Sequence, residues 1–88
     1  MAAEVWLRDS RSRIIHTRAQ CLDISPQGVR ILYSQPVVLP AIVQIRPDSD
    51  GILRTGRVRH CTARGTAYEI GISFCDAAEL RADTAACK

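Results

Sequence analysis

The segment Leu22-Asp23-Ile24-Ser25-Pro26-Gln27-Gly28 decides how this chain folds, because it separates two runs of alternating polar and apolar residues. Its carboxylate and hydroxyl can cap backbone N–H groups, and Gly28 can adopt a positive φ where the chain reverses into residues 29–33. Asp23 and Ser25 are equally suited to a small polar ligand. The segment therefore predicts a turn between two strands at the mouth of a closed sheet, with polar groups facing a ligand.

Alternation with a period of two continues on both sides of this turn and is interrupted by residues that favour turns. The strands that it predicts are residues 5–8, 13–24, 29–33, 42–46, 52–61 and 67–74. A proline-marked loop follows the third strand, residues 47–51 form a turn, and the last two strands form a hairpin around a loop at 62–66. In the last strand Tyr68, Ile70, Ile72 and Phe74 share one face, which predicts core.

The end of the chain carries a helical signal. Asp76 can N-cap a short helix over residues 77–82, and Glu79 three residues later completes a cap-like pattern. We expect this helix to plug one end of the barrel. The sequence thus predicts an all-β fold, a small six- to seven-stranded antiparallel barrel with a short C-terminal helix.

Length and composition limit the classes of protein to consider. A chain of 88 residues predicts a single domain, residues 1–88, with a formal charge of only +3. No run approaches the roughly 18 apolar residues of a membrane-spanning helix, and the first residues lack the basic start of a secretory signal, so we expect a cytoplasmic protein without membrane insertion. The four cysteines are irregularly spaced, which predicts reduced thiols and no metal site.

Three motifs in order along the chain resemble the PilZ family, small β-barrels that bind the bacterial second messenger cyclic di-GMP. They are D-I-S-P-Q-G at 23–28, G-R-V at 56–58 and Y-E-I-G-I-S-F at 68–74. The resemblance covers residues 5–74. It implies a PilZ-like barrel and a non-catalytic signalling module that responds to cyclic di-GMP and acts on a protein partner.

The resemblance also implies a ligand site. Asp23, Ser25 and Gly28 match the family's [D/N]-x-S-x-x-G motif, in which a carboxylate can accept from a guanine edge, a hydroxyl can bind a phosphate or base, and glycine lets the backbone approach closely. The family's R-x-x-x-R arm has no counterpart, because no two arginines of this sequence have that spacing. Arg30, just beyond the turn, is the nearest substitute. We therefore expect weak binding of cyclic di-GMP, and no cofactor.

Other functions compete with this interpretation. The D-x-S-x-x-G turn can serve structure alone, which would make the chain a degenerate adaptor acting through protein contacts. A nucleic-acid-binding barrel would normally expose several aromatic side chains for base stacking, and Trp6 is the main candidate for such a platform, so the sequence argues against nucleic acid. His16 and His60 have no nucleophile motif or paired carboxylates nearby, which predicts that no catalytic residues are present and that the protein is not an enzyme.

Overall fold

The computed structural model describes residues 1–75, which form six β-strands. They are β1 (Ala2–Arg8), β2 (Ile14–Ile24), β3 (Gly28–Tyr33), β4 (Ile42–Pro47), β5 (Arg54–Arg64) and β6 (Ala67–Phe74). Every strand predicted from the alternation is present, although β1 begins earlier and β5 is displaced towards the C-terminus. Residues 1–75 contain no helix, and the helix predicted over 77–82 lies outside the described residues.

The strands close into an antiparallel barrel in the order β1-β2-β3-β6-β5-β4. β4 completes the ring by pairing with β1, where Val5 lies opposite Ile45. Each strand therefore has two hydrogen-bonded neighbours, and closure removes the exposed sheet edges that would otherwise invite aggregation. The predicted all-β barrel is confirmed, with six strands within the described part of the chain.

Apolar side chains from all six strands fill the barrel interior. The largest fully buried ones include Val5, Ile31, Val43, Ile45 and Ile70. The alternation is clearest in β4, where buried Val43 and Ile45 alternate with exposed Gln44 and Arg46, because successive side chains of a strand point to opposite faces. The barrel has a packed apolar interior, which leaves its outer wall and rims for a ligand site.

The predicted core face of the last strand is confirmed only in its centre. Ile70 and Ile72 are buried, whereas Tyr68 and Phe74 are half-buried. The two aromatic residues lie near the ends of β6, where neighbouring strands give less cover. Phe74 still packs against the core from one rim, and the Arg54 guanidinium lies 5.8 Å from the centre of its ring.

Two β-bulges interrupt the regular alternation. One lies in β2 between Cys21 and Asp23, and the other lies in β5 between Val58 and His60. A bulge inserts one extra residue on one strand, so the side chains beyond it exchange faces relative to an uninterrupted strand. Both bulges lie close to the β3–β6 pair, and together they determine which side chains reach the outer wall there.

The hairpin between β5 and β6 is tighter than the sequence predicted. Strand pairing continues to Arg64 and Ala67, so the predicted loop at 62–66 is wrong and only Gly65 and Thr66 connect the strands. Gly65 has a φ of 64°, a conformation that suits glycine and that two-residue hairpin turns require. The polar residues before Gly65 belong to the outward face of β5.

Candidate functional site

Asp23 and Arg30 face each other across the β2–β3 pair on the outer wall of the barrel. Val29 and Ile31 are buried, so Arg30 between them points outward. The side chains of Asp23 and Arg30 are 55% and 49% exposed. The expectation that residues 23–28 lie at the mouth of the barrel therefore needs correction at Asp23: the turn at 25–27 lies at the rim, whereas the Asp23 side chain lies on the outer wall.

A shallow surface hollow of about 280 Å³ lies next to this pair and crosses four strands. β2, the following turn and β3 contribute Asp23, Ser25, Gln27, Gly28 and Arg30, while β5 and β6 contribute Arg59, His60, Gly71 and Ser73. The four site residues predicted from the sequence thus line one hollow. Two strands that are distant in sequence supply its other half.

Asp23 and Arg30 form an ion pair. Arg30 Nε donates to Asp23 Oδ2 at 2.9 Å, and Arg30 Nη2 donates to the same oxygen. The hydrogen bonds from Arg30, reinforced by its charge, hold the pKa of the Asp23 carboxyl below its ordinary value, and Asp23 in turn raises the pKa of Arg30. Asp23 is ionised at neutral pH, and a ligand that uses this carboxylate must share it with Arg30 or displace the guanidinium.

Ser25 closes the turn between β2 and β3. Its backbone N–H donates to the Gly28 carbonyl at 2.8 Å, and its Oγ accepts from the Gln27 N–H at 3.3 Å. The turn is also tied to β6, because the Phe74 N–H donates to the Gln27 carbonyl at 2.8 Å. The capping role predicted for Ser25 is confirmed, and its exposed hydroxyl borders the hollow.

Gly28 is required for a reason other than the one the sequence predicted. The positive φ expected at Gly28 is wrong: the described glycines with positive φ are Gly51 and Gly65. A Cβ on Gly28 would instead lie 2.2 Å from the Ile72 carbonyl oxygen of β6. Glycine lets β3 and β6 approach closely under the hollow, because any side chain here would force the two strands apart.

Glu69 is buried beneath the long side chains that surround it. Its carboxylate accepts from Arg30 Nη1 at 3.3 Å and from Arg64 Nη1 at 2.8 Å, and His60 Nε2 lies 4.0 Å away. Only 7% of the residue remains exposed. Glu69 therefore links β3, β5 and β6 on the outer wall, and the Asp23–Arg30 pair belongs to a larger charged network.

The floor of the hollow is formed by His60 lying over Gly71. A Cβ on Gly71 would be 2.1 Å from His60 Cε1, so only glycine leaves room for the imidazole. A flat ring against bare backbone makes this part of the wall shallow and accessible.

Comparison with known proteins agrees with this geometry. A family model described as the PilZ domain matches residues 3–85, which is almost the whole chain. The chain belongs to the PilZ domain family. A search among curated proteins finds no match.

The PilZ motif residues Asp23, Ser25 and Gly28 all lie around the same hollow. Four further residues of the PilZ barrel that line or support it were not predicted from the sequence as site residues: Arg59, His60, Glu69 and Ser73. They belong to β5 and β6, and only the strand order of the closed barrel brings them beside the motif. The Y-E-I-G-I-S-F motif contained two of them and was the signal that could have indicated this half of the site.

Metal binding and membrane crossing are two further properties that the structure addresses. Among residues 1–75 of this PilZ domain, no group of three or more His, Cys, Asp or Glu side chains is arranged to hold a metal ion. Within the same residues, no helix has the length and apolar character needed to cross a bilayer. Cys21 is buried and Cys61 is half-buried, both as free thiols.

Proposed function

We propose that this chain is a non-catalytic, cytoplasmic signalling module that binds cyclic di-GMP through Asp23, Ser25, Gly28 and Arg30. The observation that carries the proposal is the gathering of all four residues around one hollow on the outer wall of a PilZ barrel. Binding of the dinucleotide alters this wall, and a protein partner that contacts it receives the signal.

The chemistry of the four residues fits a guanine nucleotide. The ionised Asp23 carboxylate can accept from the N1–H and N2–H₂ donors of a guanine edge, and the Ser25 hydroxyl can bond a base edge or a phosphate oxygen. Gly28 keeps the β3 backbone close to β6 beneath the hollow. Arg30 can remain paired with Asp23 when the ligand binds, or it can leave Asp23 and donate hydrogen bonds to a phosphate of the ligand.

The affinity is expected to be weak, because the sequence has no R-x-x-x-R spacing. A bidentate arginine contact to guanine is worth about 1–3 kcal/mol in discrimination. At about 1.4 kcal/mol per decade, loss of two such contacts moves micromolar binding towards millimolar. The ligand must also compete with the Asp23–Arg30 ion pair.

Isothermal titration of the purified chain with cyclic di-GMP tests the proposal, with Asp23→Ala as the variant and Asp48→Ala as its matched control. Asp48 is a similarly exposed aspartate that pairs with Arg18, away from the hollow. We expect saturable heat from the wild-type chain and from Asp48→Ala, and at least about tenfold weaker binding for Asp23→Ala. Equal affinities of the two variants would contradict the proposed role of Asp23.

A degenerate adaptor that works through protein contacts alone is the second candidate. The observation in its favour is that the motif is already satisfied internally: Asp23 pairs with Arg30, and the Ser25 hydroxyl accepts from the Gln27 N–H. Such a turn is stable without any ligand. Absence of heat at millimolar cyclic di-GMP would favour this candidate.

Nucleic-acid binding has less support. The indole of Trp6 is stacked on the His16 ring, with centroids 4.8 Å apart and planes within 7°, and the Arg46 guanidinium lies 5.5 Å from the indole centre. The aromatic platform that a single-stranded nucleic acid would need is therefore partly occupied by the protein's own side chains.

A further inference from the structure

The β-bulge in β5 places two consecutive residues, Arg59 and His60, on the outer wall beside the hollow. Neighbouring residues of a regular strand point to opposite faces, so an uninterrupted β5 would turn His60 inward and Cys61 outward. Instead Cys61 packs against the core, while Arg59 and His60 are both exposed. Bulges commonly re-aim side chains next to functional sites, and this one turns His60 outward beside Arg59 at the edge of the hollow.

Arg59 differs in its partners from the arginines near it. Arg30 and Arg64 both pair with the Glu69 carboxylate, whereas no carboxylate within residues 1–75 lies within ion-pair distance of Arg59. Arg59 Nε donates to Ser73 Oγ at 3.1 Å. A neutral hydroxyl orients the guanidinium without neutralising it, so Arg59 presents a full positive charge to an anion that enters the hollow.

We propose that Arg59 binds a phosphodiester of the cyclic dinucleotide and supplies a cationic contact in a sequence that has no R-x-x-x-R spacing. The ligand's charge lies on its phosphates, whereas its guanines are neutral, and a guanidinium grips phosphate through charge-assisted, bidentate hydrogen bonds. Ser73 is the positioning residue, since it holds Nε and leaves the terminal nitrogens for the phosphate. This inference rests on the proposed function.

Calorimetric titration with cyclic di-GMP tests the role of Arg59 through Arg59→Ala, Arg59→Lys and Ser73→Ala. Arg11→Ala is the control, because it removes the same charge from an exposed position in the β1–β2 turn, at the other end of β2 from Asp23. Urea denaturation of each variant confirms that the barrel still folds.

The three variants are expected to weaken binding to different extents. We expect about ten- to hundredfold weaker binding for Arg59→Ala and about two- to tenfold for Ser73→Ala. Arg59→Lys should fall between wild type and Arg59→Ala, because lysine retains the charge but loses the planar fork. Arg11→Ala should bind as the wild type does.

The salt dependence of binding distinguishes phosphate from base. If Arg59 meets a phosphate, added sodium chloride should weaken binding to the wild type more steeply than to Arg59→Ala, because the variant has lost a contact between opposite charges. Equal salt dependence of the two chains would overturn the assignment to phosphate.

The possible failures separate the two proposals. Heat from the wild type with equal affinities for Arg59→Ala and Arg11→Ala would overturn the role of Arg59 and leave the proposed function standing. No heat from the wild type would overturn both.

Discussion

Replacing Gly28 by alanine tests whether the close approach of β3 to β6 is the reason that this motif position requires glycine. The new Cβ would lie 2.2 Å from the Ile72 carbonyl oxygen and 3.4 Å from Ser73 Cα. Ordinary van der Waals contact requires β3 to retreat by roughly 1 Å, which also stretches the 2.8 Å hydrogen bond from Phe74 N–H to the Gln27 carbonyl. Both effects destabilise the barrel at the hollow.

The expected loss in the free energy of unfolding follows from these two effects. Overpacking of this kind costs about 1–3 kcal/mol, and the weakened hydrogen bond about 0.5–1.5 kcal/mol, so we expect Gly28→Ala to lower the free energy of unfolding by about 2–4 kcal/mol. For a domain of this size that corresponds to a melting temperature lower by about 10–30 °C. Thermal and urea unfolding followed by circular dichroism measure the change.

Gly51→Ala is the matched control for Gly28→Ala. At Gly51 a Cβ meets nothing within 4 Å, but φ is +67°, so the same methyl group costs only the backbone strain of about 1 kcal/mol. Gly56→Ala should resemble Gly28→Ala, because its Cβ would lie 2.5 Å from the Ser73 carbonyl oxygen. If Gly28→Ala unfolds like Gly51→Ala, the packing argument is refuted.

Three further changes probe the charged network, the loop before β5 and the buried thiol. Glu69→Ala should lower the free energy of unfolding by about 1–3 kcal/mol in urea denaturation, because it leaves its arginine partners without the shared carboxylate; an unchanged midpoint would contradict this. Hydrogen bonds from Arg54 and the Ile52 N–H lower the pKa of Asp50 to about 2, so its stabilising contribution is complete above the ordinary value of 3.8 and is lost as the pH falls through 2. Urea midpoints of the wild type and Asp50→Asn should differ at about pH 5 and converge near pH 2, whereas a constant gap would exclude this linkage. Burial raises the pKa of the Cys21 thiol, so iodoacetamide followed by mass spectrometry should label half-buried Cys61 first; equal rates would show that Cys21 is accessible.

Much of the fold was predictable because it depends on local pattern. Alternation located every strand, and the D-I-S-P-Q-G segment marked the turn between β2 and β3. The bulges were not predictable, because they depend on the partner strand: Asp23 faces Arg30 only through the irregularity in β2, and Cys61 packs inward only through that in β5. An alternation pattern contains no signal for one extra residue.

The site was predictable only on the β2–β3 side. Asp23, Ser25, Gly28 and Arg30 are close in sequence and lie together, but the residues opposite them come from strands that only the barrel topology brings beside them. The ion pair between Asp23 and Arg30 was not predicted either, because the sequence suggests each side chain as an independent contact for a ligand. Pairing across two strands changes that interpretation, because each group must leave or share its partner to bind.

Mapping the ligand by NMR tests the central claim most directly. Cyclic di-GMP titrated into ¹⁵N-labelled protein should shift the backbone amides of residues 23–30, Arg59 and residues 71–73 around the hollow. It should leave those of Glu4 and Trp6 unchanged, because these residues pair with Arg18 and His16 in the part of β2 that is remote from Asp23. Shifts centred on β1, or no shifts at millimolar ligand, would contradict the assignment of this hollow as the cyclic di-GMP site.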